Sequence, residues 1–220
     1  MYHVNPDTCG CDTAFSTKGL VSRNAISYPD VEIPCSKTTF IIGGSGTGKT
    51  TLLRIFNQTE TQTSGTVSLF GKDIDTIDIS VLRKEVVLCG QDVFLFDDSI
   101  RGNFNEFRGY REEPPLSDDE MQAFLRICCV IDDLDKMCRK MSGGERARVF
   151  LAIHLSFAPK AIMLDEPTSA LDRDTAAAVM GNVRSHCTEN GITLIVVSHD
   201  RTIVDAFADS VIDLGGKSNG

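Results

Sequence analysis

The sequence predicts an α/β fold: a mostly parallel sheet, an antiparallel β subdomain and an inserted α-helical lobe. Three observations carry this. Short, dense apolar runs at 39–42, 86–88, 161–164 and 192–197 have the character of strands covered on both faces. The first run leads straight into a glycine-rich turn and then into a helical apolar pattern over 51–56. Between about 92 and 140 the chain turns polar, which reads as a helical insertion.

In chain order, Thr39-Phe40-Ile41-Ile42 is a buried strand, and Thr51, Leu52, Leu53, Ile55 and Phe56 lie on the helix after it. Gly65-Thr66-Val67-Ser68-Leu69-Phe70-Gly71 is a strand bounded by glycines. Val86-Val87-Leu88 is a further short strand. Arg108 to Pro115 reads as a loop, after which Ser117-Asp118-Asp119-Glu120 is a capping box opening a helix through Met121, Phe124, Leu125 and Cys128. Ala161 to Leu164 and Ile192 to Val197 supply the last two buried strands. With 220 residues the chain can bury about 70% of its unfolded surface without disulfide or metal staples. It is expected to be a single domain, 1–220: a core from about 1–90 and 158–220, and a helical lobe from about 92–157.

Composition excludes several functions. Twenty-two basic and thirty-one acidic residues leave a net charge of −9, unsuited to coating nucleic acid or adsorbing to anionic lipid. No apolar stretch is long enough to span a bilayer, and residues 1–7 lack the features of a secretory signal. Eight cysteines show no repeated Cys-x-x-Cys spacing and read as reduced thiols, several of them in the core. Cys9-Gly10-Cys11 supplies two ligands at most and falls short of a metal site.

Gly43-Gly44-Ser45-Gly46-Thr47-Gly48-Lys49-Thr50 satisfies G-x-x-x-x-G-K-[ST] between a strand and a helix. Backbone amides of such a turn, with the positive helix end and the following Thr51, cradle phosphates. Lys49 would reach the β- and γ-phosphates, and the Thr50 hydroxyl would ligate Mg²⁺. The pattern implies a P-loop NTPase core and, taken alone, a nucleoside triphosphate and no more. About 115 residues later, Asp165 and Glu166 end an apolar strand, where α/β sheets bind ligands. Asp165 would hold the magnesium hydration shell, and Glu166 could polarise the attacking water as a general base.

Met141-Ser142-Gly143-Gly144-Glu145-Arg146 resembles the signature of ABC ATPases, with Glu145 in place of the usual glutamine. Further motifs of that family match in order: Ser64 to Val67 after the first helix, Gln91 after the 86–88 strand, Ser169-Ala170-Leu171-Asp172 beyond Asp165-Glu166-Pro167, and Ser198-His199-Asp200 after the last strand. The resemblance covers about residues 30 to 215. It implies that Gln91 touches the metal and the water, and that His199 holds the γ-phosphate in transfer. It implies ATP and Mg²⁺ as cofactors. It further implies that Ser142, Gly143 and Gly144, at a helix start, present amides to an ATP held by a facing subunit. Each site of that head-to-tail dimer, formed with itself or a paralogous subunit, would need Lys49, Glu166 and His199 from one chain and Ser142 from the other.

By spacing, the family's adenine-stacking aromatic falls near Thr17, with Phe15 as the nearest candidate ring and Tyr28 a looser one. His154 is expected on a helix face, and His3 and His186 at the surface. Only about 92 residues separate Thr50 from Ser142, too few for the long coiled coils of chromosome-type members. The reading is therefore an ATPase subunit powering a separate integral membrane permease, cytoplasmic and peripheral on the inner face of the cell membrane, without lipid insertion of its own. The alternative is a soluble, non-transport ABC ATPase. Residues 92–103 resemble the corresponding stretch of exporter-type subunits, and Phe94 and Phe96 would suit a docking pocket for the partner. In this family cargo is selected by the membrane partner.

Overall fold

Alternation along four buried strands decides the architecture. The computed structural model describes residues 12–215. In chain order these form β1 (Thr13–Ser22), β2 (Glu32–Pro34), β3 (Thr38–Ile42), α1 (Lys49–Phe56), β4 (Gln62–Leu69), β5 (Lys72–Asp73), α2 (Ile79–Glu85) and β6 (Val86–Cys89). Next come α3 (Ile100–Tyr110), α4 (Asp118–Ile127), α5 (Gly143–Leu155), β7 (Ala161–Asp165), α6 (Arg173–Glu189), β8 (Thr193–Val197), α7 (Arg201–Phe207) and β9 (Ser210–Asp213).

Five strands pair in parallel in the order β6-β7-β8-β3-β9, and four pair antiparallel in the order β2-β1-β4-β5. The parallel sheet separates two apolar cores. Phe40, Ile42, Ile162, Leu164, Leu194 and Val196 point into one, with side chains of α3, α4, α5 and α6. Their neighbours Ile41, Ala161, Met163, Ile195 and Val197 point into the other, with α1 and the antiparallel sheet. Every residue of β3, β7 and β8 is buried, as strands covered on both faces must be. The carboxyl ends of β3 and β7 thereby come to the same edge of the sheet, each one strand away from β8.

The capping box at Ser117 forms: its hydroxyl accepts from the Glu120 amide, and Glu120 accepts from the Ser117 amide. The expected loop from Arg108 is corrected. Arg108 lies in the last turn of α3 and is buried, donating to the carbonyls of Pro114 and Ser156 beside the Glu113 carboxylate, and the turn starts only at Arg111. The strand expected over 65–71 is β4, which begins earlier and ends at Leu69. Phe70 and Gly71 take positive φ of 49° and 78° and turn the chain into β5.

Cys89, Cys128, Cys138 and Cys187 are buried. Burial pushes the Cys89 and Cys187 thiols up to about 12, so they stay protonated. Cys9, Cys11 and His3 lie outside the described residues. No helix among the described residues is long and apolar enough to cross a membrane.

Candidate functional site

The turn between β3 and α1 is built by glycines whose backbone excludes other residues. Gly43, Gly46 and Gly48 have φ of 149°, 80° and 88°. A Cβ on Gly48 would stand 2.5 Å from the Tyr28 hydroxyl, which donates to the Gly48 carbonyl at 3.0 Å. No side chain caps α1, so its first amides remain available to a ligand. Lys49 Nζ folds back onto the carbonyls of Gly43 and Gly44 at 2.8 and 2.9 Å, a position from which it can exchange those carbonyls for phosphate oxygens.

Across the sheet edge, Thr50 Oγ1 donates to Asp165 Oδ2 at 2.7 Å. Asp165 is the last residue of β7 and only 3% exposed. Glu166 follows with a φ of 53°, rare for a non-glycine residue and typical of strain held at functional sites. Its amide donates to the Val197 carbonyl of β8, and its carboxylate Oε2 lies 2.9 Å from His199 Nδ1. That carboxylate, through its hydrogen bond first and its charge second, raises the His199 pKa above the ordinary imidazole value.

These groups line one open cleft of about 610 Å³. Gly43, Ser45, Gly46, Gly48, Lys49, Thr50, Thr51, Gln91, Asp165, Glu166 and His199 all face it, so the expected cradle, both acids, the amide and the imidazole are brought together. Gly44 and Thr47 belong to the same turn without lining the cleft; Thr47 Oγ1 donates to the Gly44 carbonyl. A hydroxyl, a carboxylate and an amide oxygen are hard donors of the kind magnesium takes. No cluster of three or more His, Cys, Asp or Glu able to hold a metal ion occurs among the described residues.

Ser142, Gly143 and Gly144 do not line this cleft. Ser142 caps α5, with Gly143 exposed at its first position. A Cβ on Gly144 would lie 3.1 Å from the Ala170 carbonyl, so the start of α5 packs closely against the loop that follows Glu166. Glu145 closes a capping box: its amide donates to Ser142 Oγ at 3.2 Å and its Oε2 accepts from the Ser142 amide at 2.7 Å. Those bonds, with Lys136 Nζ at 3.1 Å from the other carboxylate oxygen, hold Glu145 down to about 2.

Two expectations are corrected. Phe15 is fully buried and stacked on Phe56 at 4.5 Å between centroids, out of reach of any ligand base. Tyr28 is spent on the Gly48 carbonyl, and the cleft's apolar wall is Ile26 and Val197, with no aromatic ring among its lining residues. His186 is half-buried against Phe124 rather than on the surface. His154 is on a helix, as expected, and buried among Phe107, Phe150 and Phe157. Sequence reasoning missed Ile26, Tyr28's bond to the turn, and Lys136. The Ser-x-x-Glu pattern at 142–145 was a readable signal for the second capping box.

Comparison with known proteins bears on this arrangement. A family model described as ABC transporter matches residues 27–169. The chain is 34% identical over 177 residues to a probable iron export ATP-binding protein, FetA, of Escherichia coli, covering 79% of this chain and 77% of that one. It is 32% identical over 211 residues to the hemin import ATP-binding protein HmuV of Rhodococcus jostii, covering 94% and 71%. Among solved structures, cbiO1 from Clostridium perfringens, part of the ABC transporter complex cbiONQ, superposes with a TM-score of 0.79 at 28% identity, covering 92% of this chain and 85% of that one.

Proposed function

This chain belongs to the ABC transporter family, as an ATP-binding subunit that hydrolyses ATP, and we propose that it works as half of a head-to-tail pair that closes around two ATP molecules on an integral membrane permease. The second half is another copy or a paralogous subunit. The observation that carries the proposal is a division within the chain. The cleft gathers the cradle, Glu166 and His199, whereas the start of α5, with Ser142 and the amides of Gly143 and Gly144, lies outside it. A second chain turned to oppose the first would bring those amides to the γ-phosphate.

Within one cleft, the amides of 43–48 and of Thr51 hold the phosphates, and Lys49 exchanges the Gly43 and Gly44 carbonyls for β- and γ-phosphate oxygens. Thr50, Asp165 and Gln91 are the residues that would hold Mg²⁺, which when bound neutralises charge on the phosphoryl oxygens. Glu166 takes a proton from the attacking water. His199, whose Nδ1 lies 2.9 Å from Glu166, turns its N–H to the γ-phosphate as charge builds there. The base rests against Ile26, an aliphatic wall that selects weakly among bases.

The membrane partner docks on an exposed aromatic patch. Phe94 is 57% exposed and packs edge-on to Phe96, which stacks on Tyr110 of α3. Gln91 lies three residues before Phe94, so contact at the patch and contact at the cleft share one short segment. Docked in this way, the subunit would sit at the cytoplasmic face of the membrane through its partner.

Mixing two inert variants tests the pair. Lys49→Ala lacks a working cradle and Ser142→Ala lacks a working corner, so neither hydrolyses ATP alone. Mixed, each heterodimer contains one intact composite site, and ATPase activity returns. A mixture as inert as its components contradicts the pairing.

A further inference from the structure

Glu145 introduces a difficulty that the pairing itself creates. Its carboxylate sits in the first turn of α5, the turn that would meet the partner's γ-phosphate, and it occupies the Ser142 amide. A fixed negative charge there opposes the approach of a triphosphate, because like charges at close range repel. The charge persists across the working pH range, since Glu145 is held down to about 2.

One side chain answers it. Lys136 Nζ lies 3.1 Å from Glu145 Oε1, the oxygen not used in the cap, and 2.8 Å from Asp132 Oδ1. Lys136 and Glu145 side chains are 29% and 31% exposed, so water and salt reach the pair and screen it in part. Lys136 is the only cation paired with Glu145 among the described residues. Asp132 shares the same ammonium, so Lys136 bridges two carboxylates and offsets the charge at the helix start in part.

We infer that Lys136 is a positioning residue for ATP-driven pairing: it offsets the charge of Glu145 at the start of α5 so that Ser142, Gly143 and Gly144 can receive the facing subunit's γ-phosphate. The inference rests on the proposed function above and adds the charge balance that makes a glutamate workable in that corner. Glu145 keeps the capping geometry, and Lys136 reduces its electrostatic penalty.

The test reads the ATP concentration giving half-maximal dimer, by sedimentation of the full chain with Mg-ATP and the Glu166→Gln change in every variant. Lys136→Met should raise that concentration about two- to fivefold, the worth of one charge at a helix end, and the rise should shrink in high salt. Glu145→Gln should remove the dependence, so that adding Lys136→Met to it changes nothing. A rise of equal size in the Glu145→Gln background, or no rise in the parent, overturns the inference. Ser142→Ala separates the two levels. If it abolishes dimerisation while Lys136→Met is silent, only the role of Lys136 fails; if Ser142→Ala is silent too, the pairing itself fails. Equal melting temperatures of parent and Lys136→Met show that the shift is not a folding defect.

Discussion

Glu166 Oε2 lies 2.9 Å from His199 Nδ1, which joins the end of β7 to the end of β8 through the two side chains assigned the proton chemistry. A carboxylate beside an imidazole favours the imidazolium, so His199 keeps its proton to a higher pH than a free histidine. The pair is therefore present just below the raised midpoint and lost as pH rises through it. His199 side chain is 73% exposed, so this linkage bears on chemistry rather than on fold stability.

The first prediction follows from that contact. NMR titration of nucleotide-free protein should place the His199 midpoint above 6.5, the ordinary value. Glu166→Gln should bring it down toward that value. A midpoint unmoved by the substitution means that the contact is not populated in solution.

Phe15 separates fold from site. Phe15→Ala empties a fully buried position stacked on Phe56, and should cost about 3–5 kcal/mol in denaturant unfolding. ATP affinity of the folded fraction should remain that of the parent, because the ring does not reach the cleft. A selective loss of affinity with unchanged stability would return Phe15 to the nucleotide site.

His154 predicts a pH dependence of stability. Burial pushes it down to about 4, against the Phe150 carbonyl that its Nδ1 meets at 2.7 Å. The unfolded chain binds that proton near 6.5 and the folded chain does not, so stability falls as pH drops from about 6.5 toward 4. Between pH 7 and pH 5 the loss from this residue should be about 2 kcal/mol. His154→Leu should lower the slope over that range, while His186, also lowered by burial, leaves a remainder. An unchanged slope would contradict the burial argument.

The aromatic patch predicts a separation of activities. Phe94→Ala with Phe96→Ala should uncouple transport in the assembled complex and leave the basal ATPase of the isolated subunit near that of the parent. Both rings lie outside the cleft. Equal loss of both activities would remove the patch from docking.

Legibility in the sequence followed locality. The cradle and the Asp165-Glu166 pair could be read because strand, turn and carboxylate are contiguous and the strands are dense in apolar residues. Gln91 and His199 were visible only through the family's motif order, since a single amide or imidazole carries no spacing of its own. α3 stayed hidden: Gly102, Gly109 and two asparagines disfavour a helix, which forms because Asn103 is wholly buried and bonded to the Phe96 amide and carbonyl. Phe15 failed as a candidate for a similar reason. Distance along the chain from the cradle says how far a residue is, and only β1's register against β4, with Phe15 opposite Leu69, says that it points into the core. Lys136 has no local pattern at all; its meaning comes from a contact nine residues away with Glu145.

Sedimentation of the Glu166→Gln chain with and without Mg-ATP tests the central claim most directly. Blocking the base should reduce turnover at least about a hundredfold while leaving the cradle, Lys49 and the Ser142 corner in place. ATP should then convert monomer into a stable dimer, and Ser142→Ala should prevent it. A protein that binds ATP in the cleft yet sediments as a monomer at every concentration, with the membrane partner present as well as absent, contradicts the account.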